Sequence, residues 1–206
     1  MGAHCLGSEE SARVSQAIEA AEMHTSGELF AVVAARADNY RLVPVLWAAV
    51  AALALAWPLH LFTSLSIGLV LAVQAAAFLS LAAALSAPAI RLALVPPALA
   101  DDAVKRAAHE QFLAHGIHLT DARTGVLVYA ALAERRVEIV ADQGIAAKVA
   151  QAEWDAIADE IVQAAKAGRL ADGLVAAIGR AGRLLAEHFP PADGDENELP
   201  NRLVQL

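Results

Sequence analysis

The sequence predicts an α/β fold, a small mixed sheet with helices on both faces, interrupted by a two-helix transmembrane hairpin. Three observations carry this. The 49 residues 42–90 contain no Asp, Glu, Lys or Arg, while the rest of the 206-residue chain holds every charge. Two runs, ELFAVVAA at 28–35 and GVLVYAAL at 125–132, are apolar on both alternating faces, as strands buried on two sides are. Outside the hairpin the order reads helix, strand, helix, strand, strand, helix, helix, which suits a sheet covered by helices, an α/β/α sandwich.

Composition sets the frame. Hydrophobic residues make up 58% and charged residues 18%, against about 45–50% and about 25% in ordinary soluble domains. A net charge of −8 argues against nucleic acid, which needs a concentrated basic face. One cysteine, Cys5, excludes an internal disulfide and a thiolate zinc cluster.

The first helix opens at Ser8, with Glu9 and Glu10 in its first turn and Val14, Ala17, Ile18 and Ala21 at helical spacing. Thr25-Ser26-Gly27 stops it before the first strand. An α-helix needs about 20 apolar residues to cross a bilayer, so residues 42–90 fit two crossings, about 42–61 and 65–85. The break falls in 58–66, where Pro58, His60 and three hydroxyls cluster. Trp47 and Trp57 sit near the two ends of the first span, as interfacial rings do. Gln74 in the second span can bond a partner helix, and Gly68, Ala72, Ala75 and Ala76 allow close helix contacts.

Arg36, Arg41, Arg91, Lys105 and Arg106 flank the hairpin and its turn has neither Lys nor Arg, so both flanking segments and both termini are expected in the cytoplasm. Residues 1–11 have no apolar stretch of the kind a cleaved signal peptide carries. Leu6 stands where the myristoylation pattern needs Ser or Thr.

Past the hairpin, Asp101 is expected to cap a helix with Val104, Ala108 and Phe112 on one stripe, closed by Gly116. The strands 125–132 and 137–141 are joined by the short Glu134-Arg135-Arg136 link, which makes them an antiparallel hairpin. A helix over 152–166 places Trp154, Ile157, Ala158, Ile161 and Ala165 on one face. A last helix over 170–187 uses Leu174, Val175, Ile178 and Leu185 and stops at Pro190-Pro191. The expected organisation is 8–36 and 100–189 as two parts of one domain, 42–90 as the hairpin, and 190–206 as an acidic, mobile tail.

Thr25-Ser26-Gly27-Glu28, then Arg123-Thr124-Gly125-Val126-Leu127-Val128, then Glu134-Arg135-Arg136-Val137-Glu138-Ile139 with Asp142 and Gly144-Ile145, resemble the TPM domain family. The likeness is closest over 101–145. A bacterial subgroup with a transmembrane hairpin inside the domain is the nearest, including the closing Asn197-Glu198-Leu199-Pro200. The resemblance implies an α/β/α sandwich. It also implies one or more of acid-phosphatase-type activity, calcium binding through loop carboxylates, and assembly or repair of membrane complexes.

The residues themselves offer one candidate metal site. Asp121 lies before the strand at 125 and Asp142 after its antiparallel neighbour, so pairing brings them to one end of the sheet. With Thr120, Thr124 or backbone carbonyls they would suit a hard cation such as calcium or magnesium; equally, both are favoured turn and cap residues. Glu134, Arg135, Arg136 and Glu138 suit an anion or a partner held through the arginines, or a solvated hairpin face. Glu28 and Glu138 form a ligand group with no spacing rule behind it.

His109-Glu110 lacks the second histidine of a metalloprotease helix, and His115 and His118 straddle a helix stop. Gly179 and Gly182 fall inside a helical pattern and read as close-packing positions. The sequence contains no complete catalytic motif. The expected function is an inner-membrane interaction or assembly module, with the lipid bilayer and other membrane proteins as partners. The alternative is a metal-dependent, acid-phosphatase-like hydrolase using Asp121 and Asp142.

Overall fold

In the computed structural model, which describes residues 6–120, 122–191 and 197–206, α1 (Ser8–Glu22) leads into β1 (Glu28–Ala34). There follow α2 (Leu42–Phe62), α3 (Ile67–Leu85), the short α4 (Pro88–Ala93) and α5 (Pro97–Ala114). A 3-10 turn at Ile117–Leu119 precedes β2 (Gly125–Ala131) and β3 (Arg136–Ala141). The chain ends in α6 (Gln143–Ala146), α7 (Gln151–Lys166), α8 (Leu170–His188) and β4 (Leu203–Gln205). Two compact units result: Met1–Asp38 with Asp101–Leu206, and Asn39–Ala100.

The first unit is a four-stranded mixed sheet in the order β3-β2-β1-β4. β1 runs parallel to β2, with Glu28 opposite Gly125 and Ala34 opposite Ala131, and parallel to β4 on its other side. β2 and β3 are antiparallel, as their short link dictates. Flanked on both sides, β1 and β2 are buried along their whole length, which is why both read as continuous apolar runs.

Alternation divides the sheet between two cores. Leu29, Val33, Val126 and Val128 face α1, α7 and α8, where Trp154, Ile161, Leu174 and Leu185 are fully buried. Phe30, Val32, Leu127 and Tyr129 face α5 and the 3-10 turn, through Val104, Ala108, Phe112 and Ile117. The sandwich is therefore α/β/α. Each large apolar side chain so buried contributes about 1.5–3 kcal/mol. A close approach packs α1 on α8, because a Cβ on Gly182 would lie 2.6 Å from that of Ala21. Gly179 has no such neighbour and meets only the tip of Arg183.

Four expectations are corrected. Gly7, rather than Ser8, is the N-cap of α1, its N–H donating to Glu10 Oε2 at 2.9 Å. α5 begins at Pro97, a favoured first-turn residue, so Asp101 caps nothing and its carboxylate is ion-paired with Arg136. Ala165 is exposed rather than on the buried face of α7. The tail returns to the sheet: β4 closes the outer edge of β1, with Ala35 N–H donating to the Leu206 carbonyl and Leu206 N–H to that of Val33. Pairing with an otherwise open edge orders a segment too short to announce itself as a strand.

The second unit holds two helices long and apolar enough to cross a membrane, with mean hydropathy 2.1 for α2 and 2.2 for α3. They pack on each other through Ala48 and Ala52, and Gln74 Nε2 donates to the Ala52 carbonyl at 3.0 Å. Gly68, Ala72, Ala75 and Ala76 instead lie on the exposed side of α3. Trp47 Nε1 donates to the Leu94 carbonyl. The outer surface is apolar, with Phe62 84% and Ile67 78% exposed.

Candidate functional site

Polar and ionisable groups gather at both ends of the sheet. At the first end, β1 and β2 begin and β3 finishes, so register brings Glu28, Gly125 and Asp142 side by side; the Asp142 N–H donates to the Gly125 carbonyl at 2.9 Å. Asp121 of the expected metal pair lies outside the described residues. Asp142 is 6% exposed and caps α6, its Oδ1 accepting from the Gln143 N–H at 2.7 Å. Its Oδ2 is buried without a hydrogen-bond donor among the described residues, and Arg123 Nη1 stands 3.9 Å away.

The described residues of the loop ahead of β2 are tied down by their hydroxyls. Thr120 Oγ1 accepts from the Thr124 N–H, and Thr124 Oγ1 donates to the Ser26 carbonyl, both at 3.1 Å. Those hydroxyls hold the loop to itself and to β1. Arg123 is in the left-handed region at φ 54°. Gly144 N–H donates to the Arg123 carbonyl, and any Cβ at position 144 would lie 2.6 Å from that oxygen. Among the described residues no three His, Cys, Asp or Glu side chains come together as a metal-holding group. The described part of the site offers one buried carboxylate oxygen faced by a guanidinium, an arrangement that suits an ion pair better than a lone cation.

A second pair of carboxylates stands at the same end, at the head of β1. Glu28 is buried, and its Oε1 accepts from the Glu198 N–H at 3.1 Å. Glu22, in the last turn of α1, accepts from the Leu29 N–H at 2.8 Å through Oε1. Burial pushes the Glu22 carboxyl up to about 8; the Leu29 N–H bond pulls it down and the Glu28 charge pushes it further up. Burial thus favours the protonated form of Glu22, a property that composition alone does not reveal. Glu28 and Glu138 do not meet. Glu138 lies opposite Tyr129, which lies opposite Val32, four residues or about 13 Å along the sheet from Glu28.

The opposite end carries the Glu134-Arg135-Arg136 turn. Arg136 pairs with Asp101, Glu134 Oε1 accepts from the Ala37 N–H at 3.1 Å, and Arg106 lies 3.7 Å from Asp38. These contacts fasten the two places where the chain leaves and re-enters the first unit. Glu138 is raised by burial, against the pull of Lys105 and His109. Two histidines pack on rings: His115 stacks on Phe30 at 4.6 Å, and burial lowers its pKa, with Arg202 adding to the effect. His118 lies 6.4 Å from the Phe112 ring. Sequence reading missed Glu22, whose setting depends on the Leu29 N–H and the Glu28 charge.

A family model described as the TPM domain, and labelled a phosphatase, matches residues 79–184, just over half the chain. The NMR structure of the BA42 protein from the psychrophilic bacterium Bizionia argentinensis superimposes with a TM-score of 0.61 at 23% identity. The alignment covers 98% of this chain and 97% of that one, and it bears on the fold. No curated protein matches the chain significantly.

Proposed function

Since the chain belongs to the TPM domain family, we propose that it is a bacterial inner-membrane protein whose hairpin anchors a cytoplasmic TPM domain that acts as an interaction or assembly module. One observation carries the reading. α2 and α3 expose their apolar surface, with 22% and none of their most apolar windows buried, whereas a core helix of a soluble fold is buried all round. Lipid is the solvent that suits such a surface.

The hairpin is an insertion rather than an appended anchor. It leaves at Asp38 and returns at Asp101, and the Arg106–Asp38 and Arg136–Asp101 pairs hold both points to the first unit. A domain carried on an inserted hairpin is confined to the membrane, where membrane partners are concentrated. The test is affinity capture of the full chain from solubilised membranes, beside a version lacking 101–206. Recovery of specific membrane proteins only by the full chain is expected; identical recovery by both would refute the module reading.

The second reading, a metal-dependent acid-phosphatase-like hydrolase at Asp121 and Asp142, draws support from the buried Asp142 Oδ2, which has no hydrogen bond among the described residues, and from the family's label. Its test is turnover of p-nitrophenyl phosphate with calcium or magnesium. Asp142→Asn and Asp121→Asn should each abolish it, and turnover surviving both changes would dismiss this site.

A further inference from the structure

A recess of about 340 Å³ lies between the β2–β3 turn and the last turn of α7. That is within the range of small-ligand sites. Its floor is apolar, from Ala131, Leu132, Val137, Val162 and Leu170, and its charged groups are Arg135, Arg136 and Lys166, with no carboxylate in the wall. In a chain of net charge −8, a recess lined by three cations and an apolar floor is a local inversion of the overall balance.

The cations differ in what they already hold. Arg136 is paired with Asp101, whereas Arg135 and Lys166 have no ion-pair partner among the described residues. Arg135 also stands at φ 55°, the left-handed region where glycine is relaxed and arginine is not. The carboxylates of this end, Asp101, Glu134, Glu138 and Asp159, line an adjoining groove of about 350 Å³ that Arg135, Arg136 and Lys166 also line. They form a negative margin that repels an extended polyanion and leaves a compact anion free to enter the recess.

We propose that this recess binds a phosphate group carried on a small apolar body. Arg135 and Lys166 hold the phosphate, Arg136 supports it, and the Val162–Leu170 floor takes the hydrocarbon. A guanidinium fork beside a compact ammonium matches phosphate oxygens, and the apolar floor makes a bare inorganic ion the poorer ligand. The phosphate has two possible sources, a soluble phosphomonoester or a lipid headgroup. The site stands on residues of the first unit and does not depend on where the hairpin lies.

The test uses the full chain in dodecyl maltoside, which carries no phosphate. Phenyl phosphate and inorganic phosphate are titrated separately while the methyl signals of Leu132, Val137 and Val162 are followed. Saturable shifts are expected with phenyl phosphate at an affinity at least tenfold above that of inorganic phosphate. Arg135→Gly and Lys166→Gln should each weaken it about tenfold, and Arg13→Gln, on α1, should leave it within twofold. Arg135→Gly is the informative variant because glycine suits that backbone, so lost binding is not lost folding.

Micelles doped with phosphatidylglycerol separate the sources. Methyl shifts without added ligand, with phenyl phosphate then competing poorly, assign the site to a lipid headgroup. Unchanged methyls and undiminished phenyl phosphate binding assign it to a soluble phosphomonoester. Absence of saturable shifts with every one of these probes, or affinities unchanged in both recess variants, would overturn the proposal.

Discussion

Glu28, the first residue of β1, accepts a hydrogen bond from the backbone N–H of Glu198, 170 residues further along the chain. The contact joins Thr25-Ser26-Gly27-Glu28 to Asn197-Glu198-Leu199-Pro200 at one corner of the sheet. Leu199 is buried in the α5-side core and β4 follows along the edge of β1. Glu28 thus acts as the clasp for the returning tail.

Glu28→Ala should therefore loosen β4 and lower stability by about 1.5–3 kcal/mol, the range for a hydrogen bond to a charged acceptor. Denaturant titration with amide exchange at Val204 and Gln205 checks this. Faster exchange there than in β2 is expected, and an unchanged β4 would show that the clasp is dispensable.

Glu22 gives the fold a pH dependence of definite sign. Its folded value, pushed up to about 8, lies above its ordinary value of 4.5, so the folded chain binds the extra proton between those limits. The stabilising contribution is complete below about 4.5, declines as pH rises through that window, and is gone above about 8. Glu22→Gln keeps the acceptor for Leu29 N–H and removes the titration. It should flatten the stability profile and gain on the order of 2 kcal/mol at pH 8, less than the whole shift because part of the side chain remains in water. Thermal melts of both proteins from pH 5 to 8.5 decide the matter; parallel profiles would refute it.

Two glycines of α8 should respond oppositely to alanine. Gly182→Ala forces a methyl against Ala21, 2.6 Å away, and should cost about 1–3 kcal/mol. Gly179→Ala meets only the flexible end of Arg183 and should gain about 0.5–1 kcal/mol from helix propensity. Chemical denaturation of the pair checks both signs, and equal effects would contradict the packing of α1 on α8.

Arg135 occupies a left-handed position at φ 55°. Arg135→Gly should raise stability by about 1 kcal/mol, an ordinary gain that the chain forgoes. A melting temperature that falls instead would show that the arginine is structurally required in the turn.

How far the sequence was legible follows from where each signal resides. β1 and β2 were readable within a residue or so because burial on two faces writes itself as an unbroken apolar run, and β3 because a short link from β2 implies an antiparallel partner. α2 and α3 were readable because 49 uncharged residues have few alternatives. β4 was not, since Leu203, Val204 and Gln205 become a strand only by lying beside Ala31, Val32 and Val33.

The candidate site divides in the same way. Asp142 was found because antiparallel pairing is implied by a short link, and its capping role is local. Glu22 resembles any other helix-end carboxylate until Leu29 N–H and Glu28 close over it. Lys166 becomes interesting only when α7 brings it beside the β2–β3 turn. Asp101 shows the converse: its local pattern suggests a cap, but Pro97 starts the helix earlier and Arg136 claims the carboxylate.

The most direct test of the central claim is the sidedness of the two units. In a Cys5→Ser background, Glu19→Cys on the exposed face of α1 and Ser64→Cys in the turn between α2 and α3 are treated with a membrane-impermeant maleimide. The cells have a permeabilised outer membrane, and labelling is repeated after lysis. A protein that sediments with membranes is expected, with Ser64→Cys labelled before lysis and Glu19→Cys only after it. Labelling of Glu19→Cys before lysis and of Ser64→Cys only afterwards would contradict the cytoplasmic placement. A protein found in the soluble fraction would contradict the anchor itself.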